Sequence, residues 1–520
     1  MAREYRSSYE GSYGHVIPSY NSTPTRLASS LPSSSNFERS RKWNQFRMLN
    51  RTLDRVNVLG DDSSEHTGCV NALSWAEDGN LLISGGDDKT VRLWRMSSTD
   101  HTQEYPFVCT SVISTGHRAN IFNAKLLPYS TRIASAAGDH QIRVFDATTA
   151  VETAPDAATT KFSYRQVGVQ VIRCHDDAAK RIATENSPDI FLSVSEDGTV
   201  RQHDLRTPHN CSNKTCSSVL MKTDNYALSA LSLSPITPHQ FVVAGESEYG
   251  FLYDRRHLKS TIEGQWGKVP RAGQGMTTCV RRFGRPTEAK SHREHITGAK
   301  ISRSNGHEVL LTYSGDAVYL YSTYDDAANK DDFSAKSASG TLSQDENAVE
   351  SPEDDFGGPF RRRRRIHKKY EPGVPIAMPR NRFVGAQNVA TVKDVNFVGP
   401  DDQWVVSGSD DGNFFIWDKK SEKLCGVYEG DSTIVNVIEG HPHFPLLAIS
   451  GIDTSIKLFA PSFYENSDFS RMENADEIIE QNQRADSSPL LISPGTLQLL
   501  ASLRASMDEG DTRPLECTQQ

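Results

Sequence analysis

Apolar and polar residues alternate along most of the chain in runs of five to seven, and the runs recur with the same punctuation. The clearest stretch begins at His66 and continues through Val70-Asn71-Ala72-Leu73-Ser74-Trp75. It resumes at Leu82-Ile83-Ser84-Gly85-Gly86-Asp87-Asp88 and ends at Val91-Arg92-Leu93-Trp94. A period of two with Gly/Asp turns between the runs predicts short antiparallel strands joined by tight hairpins. The unit as a whole is strand, small-residue step, turn aspartate, second strand and aromatic.

The unit repeats. A second copy opens at Gly116-His117 and passes through Ser135 and Asp139 to Ile142–Asp146. A third covers Phe191–Arg206 and a fourth Ala227–Arg256. A fifth spans about His295–Tyr321, a sixth carries Val405–Asp418, and a seventh Leu447–Phe459. A four-stranded unit cannot bury both faces alone, whereas blades packed around an axis can. The expected fold is therefore all-β: a seven-bladed WD-repeat β-propeller with an N-terminal helix and disordered extensions. Leu53–Leu59 reads as a strand that completes the last blade and closes the ring.

Four side chains in the clearest unit, His66, Ser84, Asp88 and Trp94, suit a buried hydrogen-bonded network tying a loop to the sheet. His117, Ser135 and Asp139 form most of a second, with Phe145 in place of the indole. Histidine, serine and aspartate together also suggest a hydrolase. An enzyme needs one site, however, and these residues recur; no phosphate loop or nucleophile elbow accompanies them. No enzymatic activity, cofactor or metal is expected.

Outside the repeats the pattern changes. Residues 1–36 are rich in Ser, Tyr, Pro and Asn without apolar period and read as a disordered tail. Over 37–52 the residues Phe37, Trp43, Phe46, Leu49 and Leu53 fall at helical intervals with arginines between them, which predicts a basic amphipathic helix. The propeller is expected over 53–460, broken between the fifth and sixth units by a disordered insertion at about 323–381. That insertion is acidic at first and then basic: Arg361, Arg362, Arg363, Arg364 and Arg365, then Lys368 and Lys369. Such a run serves as a nuclear import signal or as a solvated linker; import is the expectation, with residence in nucleus and cytoplasm. The tail over 461–520 reads as mostly disordered, with short helices near Arg471–Arg484 and Gly495–Met507.

Composition agrees. Hydrophobic residues make up 36% of the 520, mean hydropathy is −0.54 and net charge is −9. These values fit a folded core with long polar additions and give no general reason to expect nucleic-acid binding. The eight cysteines are scattered, as in proteins with reduced thiols. The close pair Cys211 and Cys216 lacks the second pair of a zinc site. No run is long and apolar enough for a membrane span.

Two neighbouring repeats close alike: His203-Asp204-Leu205-Arg206 and Tyr253-Asp254-Arg255-Arg256. This doubled box resembles the signature of WD-repeat substrate receptors of cullin-4 RING ubiquitin ligases. Segments such as His66–Asn71, Gly116–Phe122, Glu196–Arg201 and Ser407–Gly412 are similar to the IQ-motif/WD-repeat, nuclear-receptor-interacting subgroup. The similarity covers roughly residues 50–460. It implies that Asp204, Arg206, Asp254 and Arg256, with Trp43, Phe46 and Leu49 of the preceding helix, contact the ligase's propeller adaptor. Through it they would engage cullin-4 while an unknown target is held for ubiquitination. The insertion is short for the animal members, and no IQ motif is evident, so calmodulin binding is not implied. A nuclear scaffold for chromatin or RNA-processing complexes is the alternative.

Overall fold

The computed structural model describes residues 34–60, 64–100, 102–155, 158–207, 218–223, 226–258, 277–286, 295–326, 374–462 and 467–487. Their strands form seven sheets, each built on a meander of four antiparallel strands numbered here from the innermost outward; blades 1 and 4 add a parallel fifth strand, in blade 1 Thr160–Ser163. Blade 1 is built from Val70–Ala76, Leu81–Gly86, Thr90–Met96 and Phe107–Ser114; blade 2 from Ile121–Leu126, Arg132–Ala137, Ile142–Asp146 and Val169–Ile172. Blade 3 comprises Ala179–Thr184, Ile190–Ser195, Thr199–Asp204 and Val219–Lys222. Blade 4 comprises Leu228–Leu233, Gln240–Gly245, Gly250–Leu258 and Thr277–Phe283. In blade 5 the strands are Ile296–Ile301, Glu308–Tyr313, Val318–Ser322 and Asn381–Phe383, and in blade 6 Val395–Val398, Trp404–Gly408, Asn413–Asp418 and Leu424–Glu429.

Blade 7 closes the ring. Its inner strands are Val435–Gly440, Leu447–Gly451 and Ile456–Pro461, and its outermost is Leu53–Leu59, taken from the other end of the propeller. The register runs from Leu53 opposite Pro461 to Leu59 opposite Ile456. Closing the circle with a strand from the N-terminal side leaves neither end as an open edge and ties residues about 400 apart in sequence.

The core lies between blades rather than within them. Leu73, Leu82 and Trp94 of blade 1 meet Val437, Ala448 and Leu458 of blade 7, and Ile121 and Ile133 of blade 2 meet Ile83 and Leu93 of blade 1. Both faces of each central strand are covered, so the second and third strands read as nearly continuous apolar runs.

Three boundaries differ from the sequence expectation. The helix spans Ser34–Leu49 rather than 37–52. The insertion lies inside blade 5, not between blades 5 and 6, because the three-residue strand Asn381–Phe383 that follows it pairs with Val318–Leu320. Just before it, Ile376–Ala377 adds a parallel fifth strand to blade 4. Beyond the propeller, Ala475–Ser487 is helical, and its Ala475, Ile478 and Ile479 pack on the core of blades 5 and 6. The tail up to Ser487 is thus part of the folded unit. Residues 1–33, the basic run 361–369 and the helix expected at Gly495–Met507 lie outside the described residues.

Candidate protein-interaction face

Three blades share one buried polar chain. In blade 1, His66 Nδ1 lies 3.0 Å from Asp88, His66 Nε2 lies 2.8 Å from Ser84 Oγ, and the Trp94 indole donates to Ser84 Oγ at 2.9 Å. Asp88 is the acceptor, so Nδ1 carries the ring proton; the serine hydroxyl then donates to Nε2 and accepts from the indole. Blade 2 repeats the arrangement with His117, Asp139 and Ser135, at 2.9 and 2.8 Å. Phe145 is buried where Trp94 sits in blade 1, and it has no donor to offer.

Blade 3 has the same chain by a substitution that the sequence reading missed. His175 contacts Asp197 at 3.0 Å and Ser193 at 2.8 Å, and His203 Nε2 replaces the indole at 2.7 Å from Ser193 Oγ. A constant spacing marks all three histidines: 18 residues to the serine and 22 to the aspartate. Burial lowers the pKa of His66 and His117. It works against ionisation of Asp88 and Asp197 too, but hydrogen bonds from the paired histidine and the following threonine hold both carboxyls below their ordinary range. Ser84, Ser135 and Ser193 are fully buried, and each hydroxyl is engaged by its histidine, so none is presented to a substrate. Their work is to hold loops to sheets.

The paired Asp-x-Arg residues are placed quite differently. Successive strands of a blade are antiparallel, so the turns after the first and third strands share one face of the disc; the remaining connections share the other. Asp204 pairs with Ile190 and Asp254 with Gln240, each partner being the first residue of a second strand. Both boxes therefore lie on the face of the first and third turns. Arg206 forms a fork on Asp204 through Nε (2.9 Å) and Nη2 (2.7 Å), and its backbone N–H donates to the same carboxylate at 3.0 Å. Arg256 does the same with Asp254 at 3.0, 2.7 and 2.9 Å. The Arg206 hydrogen bonds draw Asp204 down to about 2. Asp254 is also near 2: burial opposes its ionisation, but the bonds from Arg256 prevail.

The guanidinium groups are nevertheless 62% and 64% exposed. Each carboxylate is thus a holder that locks an outward-pointing cation. Asp146 of blade 2 and Asp418 of blade 6 occupy the same strand-end position, but two residues later stand Thr148 and Lys420. Blades 3 and 4 alone carry the complete fork among the described strands. Arg255 braces them: its Nη1 reaches Glu185 (2.6 Å) and Gln202 (3.0 Å) of blade 3, which sets the spacing between the two arginines.

The N-terminal helix sits on the same face. Lys42 Nζ meets Asp401 at 3.1 Å, Gln45 donates to the Phe444 carbonyl at 3.1 Å, and Phe46 stacks on Trp404 with ring centroids 5.4 Å apart. Asp401 and Phe444 belong to the turns after the first strands of blades 6 and 7. Among the described side chains of the helix, residues 41–49, no apolar stripe is buried. Of these, Gln45 is the buried one, Leu49 is only partly buried, Phe46 is exposed along one side, and Trp43 is 58% exposed. Contacts with turns rather than with a groove account for this, since turns offer carbonyls and carboxylates for Gln45 and Lys42. Three more large apolar residues stand out on this face: Tyr129 after the first strand of blade 2, Ile236 after that of blade 4, and Tyr324 after the third strand of blade 5. The exposed aromatic groups and the two locked arginines give this face the composition of an interface core with a polar rim.

A family model described as "WD domain, G-beta repeat" matches residues 60–95, 107–146 and 381–418. The chain carries WD40 repeats. Propellers of this family are in general non-catalytic scaffolds for protein interaction. The fission yeast "WD repeat protein iqw1" is 34% identical over 52% of this chain and 32% of its own length. "Protein ALTERED SEED GERMINATION 2" of Arabidopsis thaliana is 29% identical over 63% of this chain and 42% of its own. The human "DDB1- and CUL4-associated factor 6" is 31% identical over 51% of this chain and 28% of its own. The matches thus span between about a quarter and two fifths of these relatives. The chain is thus similar to WD-repeat proteins, among them one named for its association with DDB1 and CUL4.

Among the described cysteines, Cys109 and Cys425 are free thiols, and Cys69 is disulfide-bonded, a departure from the expectation of reduced thiols throughout. Cys211 and Cys216 lie outside the described residues. Among the described residues no cluster of ligands suits a metal ion, and no helix is long and apolar enough to cross a membrane.

Proposed function

We propose that this WD40 propeller is a substrate receptor of a cullin-4 RING ubiquitin ligase, docking on the ligase's adaptor through the face that carries Arg206 and Arg256. The observation that carries the reading is the pair of identical Asp–Arg forks on neighbouring blades. Arginine held in a fork keeps its remaining donors in a fixed plane and loses little entropy on binding a carboxylate or carbonyl. Trp43 and Phe46, exposed on the same face, supply aromatic anchors. The name of the human relative associates that protein with the same adaptor and cullin.

The activity would be positional. The adaptor holds one face, a target protein binds the other, and the ubiquitin-charged partner is brought within reach at high effective concentration. The identity of the target is left to experiment. We further propose that the protein is distributed between nucleus and cytoplasm, with Arg361–Arg365, Lys368 and Lys369 as the import signal; a fluorescent fusion with these residues changed to Ser should stay cytoplasmic.

Affinity purification of the tagged full chain followed by mass spectrometry tests the main reading. Adaptor and cullin-4 as dominant partners support it. Recovery of chromatin or RNA-processing subunits without them would favour the scaffold reading instead.

A further inference from the structure

The face opposite the docking forks carries a cluster of arginines without carboxylate partners. It is built around a position that blades 1 and 2 share, shortly after the turn aspartate. In blade 1, Arg92 donates to the Ser64 carbonyl at 2.7 Å and is paired with Asp88 at 3.2 Å. In blade 2 the corresponding Asp139 turns both oxygens to His117, at 2.9 and 3.1 Å. Arg143 is held instead by neutral groups: the Thr115 carbonyl at 2.9 Å and the Gln141 amide oxygen at 3.3 and 3.0 Å. It is only 7% exposed, so a cation is fixed at the edge of the blade with its charge uncompensated.

Three exposed arginines stand around it. Arg118 lies on the connection from blade 1 to blade 2. Arg173 opens the connection from blade 2 to blade 3, directly after Ile172, which pairs with Ile142 beside Arg143. Arg165 follows the added strand Thr160–Ser163, whose last residue lies opposite Ser114 at the same end of blade 1. Gly116 draws the parts together. In its left-handed conformation (φ +73°) a Cβ would stand 2.6 Å from Arg143 Nη1 and 2.9 Å from the Tyr164 ring, so both side chains close over the bare glycine. Tyr164 in turn accepts from Arg165 Nε at 3.3 Å. Among the described residues none of the four arginines has an ion-pair partner. Asp176 and Asp177, both exposed, follow on the Arg173 connection, and Asp177 faces His140 at 3.9 Å.

We propose that this patch binds an acidic segment of a partner protein, with Arg143 taking one carboxylate and Arg118, Arg165 and Arg173 taking its neighbours along the segment. An arginine already fixed by neutral acceptors keeps its charge for the ligand and loses little freedom on binding. Several cations spread over neighbouring connections suit carboxylates spaced along a chain. A continuous phosphate backbone would run against Asp176 and Asp177, and the net charge of −9 repels it further. The inference rests on the receptor reading only for the role of the partner: in that reading the acidic segment belongs to the target held on the free face.

Fluorescence anisotropy of the purified full chain with a labelled decapeptide of alternating Glu and Ser tests the proposal. The same peptide with Gln for Glu is the reference, and a labelled oligothymidylate is the second probe. We expect saturable binding of the Glu peptide alone, weakening as salt is raised. Affinity should fall about fivefold in each of Arg118→Ser and Arg173→Ser, the loss of one charge-assisted contact at an exposed site. Both residues are exposed, so these variants keep the fold. Lys420→Ser, on the docking face, should bind like the wild type. Absence of binding above the Gln peptide, wild-type affinity in the double variant of Arg118 and Arg173, or tighter binding of the oligonucleotide would overturn the proposal. Adaptor affinity is read separately on the other face, so failure here leaves the docking reading standing, and loss of adaptor binding leaves this one.

Discussion

Replacing Ser193 by alanine removes a single oxygen atom and breaks two buried contacts. The hydroxyl donates to His175 Nε2 at 2.8 Å and accepts from His203 Nε2 at 2.7 Å, and it is fully buried. The cavity left is too small for water to replace both contacts, so two ring nitrogens would be stranded. A buried polar group deprived of its partner costs about 1–3 kcal/mol, which puts the variant, with two such groups, about 2–6 kcal/mol below the wild type. Ser84→Ala should cost as much, because His66 and the Trp94 indole are both stranded. Ser135→Ala should cost about half, because Phe145 presents no donor and His117 alone loses a short contact. Urea unfolding followed by circular dichroism gives the three midpoints. Equal losses at all three positions, or a loss under about 0.5 kcal/mol at Ser193, would refute the reasoning that each serine is a two-sided bridge in blades 1 and 3 and a one-sided one in blade 2.

His441 is held neutral, with Nε2 donating to the Gly79 carbonyl and Nδ1 accepting from the backbone of His443 and Phe444, and burial lowers its pKa to about 3. The folded value lies below the unfolded 6.5, so its contribution is complete above pH 6.5 and is lost as pH falls towards 3. The cost is at most about 1.4 kcal/mol per pH unit, and His441→Leu should flatten a plot of unfolding midpoint against pH; parallel plots would exclude this role. Trp43→Ser should change stability by less than about 0.5 kcal/mol yet weaken adaptor binding measured by biolayer interferometry, and unchanged binding would remove Trp43 from the interface. Arg255→Met should leave Arg206 and Arg256 in place but free their spacing, so that adaptor binding falls by about tenfold with both forks intact; wild-type affinity would show that the brace is dispensable.

Much of this was readable in the chain because the blades repeat. Alternation and Gly/Asp turns located all seven blades, and the strand Leu53–Leu59 announced itself by its place before the first unit. The doubled Asp-x-Arg was visible as identical strand endings. What escaped notice had lost its usual marker. His203 does the work of an indole in blade 3, so only the constant spacing from His175 could have revealed its chain. In blades 6 and 7 the loop-to-sheet role passes to buried lysines. Lys393 pairs with Asp410, and Lys457 lies 2.6 Å from Asp453; from sequence a lysine reads as surface. The fourth strand of blade 5 is three residues long, too short for a periodic signal, which misplaced the insertion. The helix carried no readable sign of how it seats on the propeller: the residue that inserts is Gln45, chosen by a carbonyl in a turn distant in sequence.

The docking face is the central claim, and the affinity of the purified chain for purified adaptor, compared with Arg206→Ala, Arg256→Ala and the double variant, tests it most directly. Both guanidinium groups are exposed, so circular dichroism should not move; the unfolding midpoint should hold in Arg206→Ala and fall in Arg256→Ala, which strips the buried Asp254 of its partner. An arginine anchor at an interface is worth about 2 kcal/mol or more, so each single variant should weaken binding at least about thirtyfold and the double variant by about a thousandfold. Wild-type affinity in the double variant, with the fold unchanged, would contradict the account.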